Sequence, residues 1–126
     1  MLTFPMTASA TVHDPDPWWG HDKALHFGIS AGLSAAGYGV GAALAPDSTW
    51  IPLATGAGLS LTLGVGKEVF DQLQGRHFSW KDLTWDVLGT ATGLLISWAV
   101  DTLVLGPLLS APREPAPSMA WAVRWP

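Results

Sequence analysis

The sequence predicts an all-α fold: a small helical membrane bundle of about three hydrophobic helices whose charged ends meet at one interface. Three observations predict it. Only 13% of the 126 residues are charged against 48% hydrophobic, where a soluble domain carries about 25% charged residues. The apolar residues run in three long stretches rich in Ala, Gly and Leu, too long and too poor in β-branched residues for strands. The charges gather in three short clusters, Asp22-Lys23-x-x-His26, Lys67-Glu68-x-x-Asp71 and Arg76-x-x-Ser79-x-Lys81-Asp82-x-x-x-Asp86. Charge beside lipid-like sequence is costly unless it is paired, hydrated or functional.

Residues 1–19 read as a flexible N-terminal segment. It contains Ala8-Ser9-Ala10, the small-x-small pattern of a signal-peptidase site, but lacks the basic and apolar regions that precede such a site. A remnant of a signal peptide and an ordinary flexible terminus both fit. His13 to Gly20 is proline-rich and carries Trp18-Trp19, which suits a membrane-interface anchor or a cap on the domain core. The helical domain occupies residues 20–109.

Its first apolar stretch, Ala24 to Ala45, is long enough to span a bilayer and stops at Pro46-Asp47. The second, Trp50 to Gly66, has Pro52 in its first turn, where proline is tolerated. It is short for a span, so tilt, local bilayer thinning or a re-entrant path would accommodate it. The third, Val87 to Leu109, is again long enough, with Asp101 inside it. Residues 110–126 form a Pro/Ala-rich disordered tail, with Trp121 and Trp125 placed to touch the membrane surface. Small residues recur four apart in each stretch: Gly28 and Gly32, Gly37 and Gly41, Gly56-Ser60-Gly64, and Gly89 and Gly93. That spacing lets helix backbones approach closely in lipid. Three crossings place all three charged clusters on one side of the membrane and the Pro46–Thr49 turn on the other.

Composition also excludes several functions. The absence of cysteine rules out disulfides, thiolate metal sites and lipid attachment at cysteine. A net charge of −4 argues against a nucleic-acid partner. No paired histidines or other recognised ligand spacing calls for a metal, and no cofactor motif is present. The clusters contain Lys23, Lys67, Arg76 and Lys81 against Asp22, Glu68, Asp71, Asp82 and Asp86, one acid in excess. So balanced a set favours mutual pairing over a carboxylate metal site.

Within the clusters, Ser79-Trp80-Lys81-Asp82 reads as a capping box, which accounts for Ser79 and Asp82. His26 lies just inside an apolar helix, with Ser30, Ser34 and Gly37 continuing its face. Ser60, Gly64 and Glu68 form one row, and Asp86 leads to Gly89 and Gly93 on another. Capping leaves His26, Glu68, Asp71 and Asp86 without a local explanation, and these are the candidate catalytic residues. Lys23, Lys67 and Arg76 are the candidates for holding a substrate anion.

The segments GHDKALHFGISAGLSAAG, SLTLGVGKEVFDQ and FSWKDLTWDVLGTATG resemble the YfiM-like family of predicted periplasmic or envelope lipoproteins, to which no biochemical activity is assigned. Glu68, Arg76, Ser79, Asp82 and Gly89 also resemble the pattern of VanZ-like membrane proteins, which are linked to glycopeptide resistance. The lipobox cysteine of the first family is missing here, and Asp86 stands where the second tends to show asparagine. The resemblance implies a small helical membrane domain in the bacterial cell envelope, with a periplasmic cluster side. The lysines and arginine of the clusters imply a cytoplasmic one by the positive-inside rule, so the orientation stays open.

Two functions follow as expectations. In the first, the chain is a small cell-envelope membrane protein whose polar cluster is a structural network and a surface for a partner: membrane lipid, an envelope protein, or a second copy in a homo-oligomer. In the alternative it is a membrane-embedded enzyme on a lipid-linked or cell-wall substrate. There His26 is the general acid or base, Glu68, Asp71 and Asp86 position it or bind a cation, and Lys23, Lys67 and Arg76 hold a phosphate.

Overall fold

The computed structural model describes residues 14–110. The signal-like Ala8-Ser9-Ala10 and the tail carrying Trp121 and Trp125 lie outside the described residues. Three long helices make the fold: α1 (His21–Leu44), α2 (Trp50–Leu73) and α3 (Trp80–Val100). A π-helical stretch, Asp101–Leu105, and a short α4, Gly106–Ser110, continue α3 as one rod. The wide turn bonds the Gly106 amide to the Asp101 carbonyl, directly before Pro107, which has no amide to offer the α-helical ladder.

α1 packs against both other helices, and α2 and α3 touch each other less. The pattern of burial is inverted relative to a soluble bundle. Among the described residues Tyr38 is the single buried hydrophobic side chain. The buried set is instead Lys23, His26, Ser30, Ser34, Ser60, Glu68, Asp71, Asp82, Asp86 and Thr90, while leucines, valines and isoleucines face outward along every helix. Apolar groups gain from leaving water only if something apolar covers them. Here the natural cover is lipid, and the chain is a small helical membrane-associated protein.

α1 and the Trp80–Ser110 rod are long and apolar enough to cross a membrane. α2 equals α1 in length, 24 residues, but does not join that class. Pro52, Thr55, Ser60, Thr62 and four glycines dilute its apolar content before Lys67 and Glu68 begin its charged end.

The small-residue ladders explain how the helices approach, with one exception. A Cβ on Gly37 would lie 2.8 Å from the Cα of Gly56. One on Gly89 or Gly93 would collide with the carbonyl oxygens of Phe27 or Ala31. Gly28 and Gly32, in contrast, meet nothing and face outward. They sit two residues from the buried Ser30 and Ser34, about 200° around the helix. The face of α1 that packs is therefore His26-Ser30-Ser34-Gly37-Gly41.

Hydroxyls satisfy the polar atoms along this spine. Ser60 Oγ donates to the Ser30 carbonyl at 2.9 Å and lies 2.7 Å from Thr90 Oγ1. Thr55 Oγ1 donates to the Gly37 carbonyl at 2.8 Å. Farther along, Tyr38 OH donates to Asp101 Oδ2 at 2.8 Å, which gives the one acid inside the third apolar stretch a partner.

Candidate functional site

The start of α1, the end of α2 and the start of α3 meet at one end of the bundle, and the three charged clusters meet with them. Local structure brings this about. Gly75, at a φ of 78°, turns the chain out of α2, and the Arg76 amide bonds back to the Asp71 carbonyl at 2.9 Å. Ser79 then caps α3 by accepting the Asp82 amide at 3.0 Å, as its capping-box spacing requires. The other half of the box comes from a neighbouring helix. Glu68, at the end of α2, accepts the Ser79 amide at 2.9 Å, the contact that the Asp82 carboxylate would make in a local box.

The Asp82 carboxylate is thereby free to become the hub of the site. It binds Lys23, lies 3.5 Å from His26 Nε2 and comes within 4.0 Å of Lys67. On the opposite side of the imidazole, Nδ1 lies 3.0 Å from Asp86 Oδ1, which also accepts from Ser30 Oγ at 2.8 Å. Lys67 bridges Glu68 and Asp71, each at 3.1 Å, and Arg76 closes the chain onto Asp71 at 3.0 Å. His26, Glu68, Asp71, Asp86, Lys23, Lys67 and Arg76 thus fall into one continuous network. Lys23 is 4% exposed, with its ammonium held between Asp16 and Asp82. Lys67 is half-exposed and Arg76 exposed, so these two remain within reach of an external anion.

The sequence reading counts Asp82 in the paired set but leaves it off the candidate list as a cap, and it misses Asp14 and Asp16. Only the backbone amide of Asp82 serves the cap. Asp16, in the segment before α1, binds Lys23 and accepts from Ser79 Oγ at 2.8 Å. Asp14 holds Lys81 at 2.7 Å. Trp85 Nε1 adds a bond to the Trp18 carbonyl at 2.9 Å, and the Trp85 ring meets Trp19 and Phe27 edge-on. Residues 14–19 therefore strap the ends of α1 and α3. The sequence signals were Trp18-Trp19, which suit a cap on the domain core, and an Asp-Pro-Asp-Pro run whose prolines fix the backbone that presents those acids.

These additions shift the charge balance. Lys23, Lys67, Arg76 and Lys81 now face Asp14, Asp16, Asp22, Glu68, Asp71, Asp82 and Asp86, so acid is in clear excess. Outside the membrane-spanning segments the pairing shows in acidity. The hydrogen bond from Lys23 holds Asp16 below the usual carboxylate range, and that from Lys67 does the same for Asp71. Burial pulls the Lys67 ammonium down, but bonds to Asp71 and Glu68 outweigh it and raise the group.

Two features go beyond pairing. Ligand atoms of Asp22, His26 and Asp82 lie within 4.8 Å of one another, a spacing that could hold a metal ion. The Lys23 ammonium, bound to Asp82 and 3.6 Å from Asp22, already supplies positive charge there. Beside the network, a groove of about 370 Å³ runs between α1 and α2. Asp22 and Lys67 stand toward its outer end, His26, Ser30 and Asp86 line its polar side, and leucines and Ile29 line the remainder. Asp86 Oδ2 is the one buried side-chain oxygen or nitrogen among the described residues with no hydrogen-bond partner. No protein-family model, curated protein or solved structure matches this chain.

Proposed function

We propose that the chain is a small membrane protein of the bacterial cell envelope, of the YfiM-like type, whose polar cluster clamps three helix ends and presents a partner surface around them. One observation carries this reading: both nitrogens of His26 are turned to carboxylates on α3, and Lys23 and Glu68 are likewise engaged by groups on other segments. A site whose charged groups are so extensively paired across segments is suited to holding helices in register. Around the clamp, Trp19, Trp80 and Arg76 are exposed and offer aromatic and cationic contacts at the membrane interface.

A second reading, a membrane-embedded enzyme on a lipid-linked or cell-wall substrate, draws support from His26 and Asp86 lining a groove that opens between outward-facing leucines. His26 would be its acid or base, Asp86 would position the imidazole, and Lys67 and Arg76 would hold a phosphate.

His26→Gln, Glu68→Gln and Asp86→Asn separate the two, since each removes a titrating group and nearly keeps its shape. The clamp predicts that all three lower the melting temperature of the purified protein, with loss of complementation in a deletion strain tracking loss of stability. Three variants that melt like the parent yet fail to complement would refute it in favour of the enzyme.

A further inference from the structure

The cations of the network do not share its acids evenly. Lys81 is held by Asp14, Arg76 by Asp71, Lys67 by Glu68 and Asp71, and Lys23 by Asp16 as well as Asp82. The acids left over among the described residues are Asp22, Asp82 and Asp86, which share little more than Lys23, and all three stand around His26. The imidazole is fixed on one side only. Asp86 Oδ1 accepts from Ser30 Oγ at 2.8 Å and lies 3.0 Å from Nδ1, so Nδ1 carries the proton and Nε2 presents a lone pair. Nε2 faces Asp82 Oδ2 at 3.5 Å, beyond hydrogen-bond range. Two acceptors thus point at each other on a histidine that is 8% exposed, and they repel unless a cation lies between them.

We propose that His26 Nε2, Asp82 Oδ2 and the Asp22 carboxylate bind one zinc ion, with Asp86 as the positioning residue behind the imidazole. Nitrogen and oxygen donors on a tetrahedral zinc lie about 3.3–3.6 Å apart, which is the separation of Nε2 from Asp82 Oδ2. Asp22 stands one helical turn before His26 on the same face of α1, and the three donor atoms fall within 4.8 Å of one another. The Asp22 side chain is 70% exposed and turns inward at little cost. Lys23 does not occupy the position, because it takes Asp82 Oδ1 and leaves Oδ2 to the ion. An imidazole donor favours zinc over magnesium or calcium, which prefer oxygen. A carboxylate on the other ring nitrogen is the usual support of a zinc-bound histidine. Asp22 and His26 line the outer part of the groove between α1 and α2, which gives the ion a path in. Three protein donors leave a fourth position for water or a ligand from that groove.

The inference rests on the clamp, which sets His26 against α3, and its test keeps the two apart. The untagged full chain, purified in maltoside detergent and stripped with a chelator, is titrated with zinc, magnesium or calcium chloride, and bound metal is counted by elemental analysis. One zinc should bind per chain, undisturbed by magnesium or calcium in excess, and the nitrogen NMR resonance of His26 Nε2 should move on binding. Asp22→Asn should weaken zinc binding about tenfold or more. Its melting temperature in chelator should stay close to the parent's, because Asp22 is exposed and lies 3.6 Å from Lys23. His21→Gln and His77→Gln, which remove exposed histidines outside the donor set, should bind zinc as the parent does. Failure of zinc to bind, equal binding to Asp22→Asn, or loss of binding in His21→Gln or His77→Gln overturns the inference. The melting temperature of His26→Gln in chelator tests the clamp by itself. A loss of stability there, with no zinc bound by the parent, keeps the clamp and discards the ion.

Discussion

The middle of the bundle and its charged end hold the same three helices by opposite means. In the middle, backbones meet: Gly37 abuts Gly56, and Gly89 and Gly93 lie against carbonyls of α1. Polar atoms there are hydroxyls that donate to carbonyls or to each other, and no full charge is needed. At the charged end, Lys23, His26, Glu68, Lys67, Asp82 and Asp86 reach across gaps between the helices and pair. In lipid the first arrangement works through close contact and dispersion. The second works because an ion left alone in that setting would be far worse. Volume therefore specifies one half, and charge the other.

Breaking the charged half should have the largest effect. Lys23→Met removes the cation between Asp16 and Asp82 and deprives the buried Asp82 carboxylate of its principal partner, a loss of about 3–5 kcal/mol, read as a lower melting temperature in detergent. Next comes the glycine half. Gly93→Ala places a methyl against the Ala31 carbonyl and Ser34 Oγ, at a cost of about 1–3 kcal/mol. Gly28→Ala, on the open face of the same bundle, should instead stabilise by about 0.5–1 kcal/mol through helix propensity. The two alanines moving the melting temperature in the same direction would break the comparison.

A smaller effect sharpens the role of the strap. Asp16 is more acidic in the folded protein than its ordinary value of 3.8. Its contribution is thus fully present above that value and is lost as pH falls through the lower, folded one. The Trp85 indole N–H, bonded to the Trp18 carbonyl, should report release of residues 14–19 by its NMR shift in that acid range, ahead of global unfolding. A shift unchanged until the whole protein melts would show the strap to be held by its aromatics instead. Arg76→Ala should do least. Arg76 is 67% exposed on Asp71, and exposed pairs are weak and screened by salt.

The glycine half was largely legible in sequence because its signal is periodic: residues four apart must share a face. Even so, Gly28 and Gly32 have the right spacing on the wrong face, and only the position of His26, Ser30 and Ser34 distinguishes them. The charged half was legible as a location. Three successive helices running up and down sufficed to bring its clusters together. Its pairings were not, because Lys23 meets Asp82 from 59 residues away and His26 meets Asp86 from 60. Asp82 illustrates the difficulty. A local capping motif accounts for it in sequence, yet Glu68 completes the cap and leaves the Asp82 carboxylate for the hub. Asp14 and Asp16 carried no helical periodicity at all, and their addition turned a near-balanced charge count into an acidic one.

The central claim is that charges from separate segments hold one another at a single end of the bundle. A double-mutant cycle on Lys23→Met and Asp82→Asn, read by thermal or denaturant unfolding in detergent, tests it most directly. The account predicts that the double variant is less destabilised than the two single variants combined, with a coupling of about 1–3 kcal/mol. Strictly additive losses would show that Lys23 and Asp82 act independently, and would contradict the clamp.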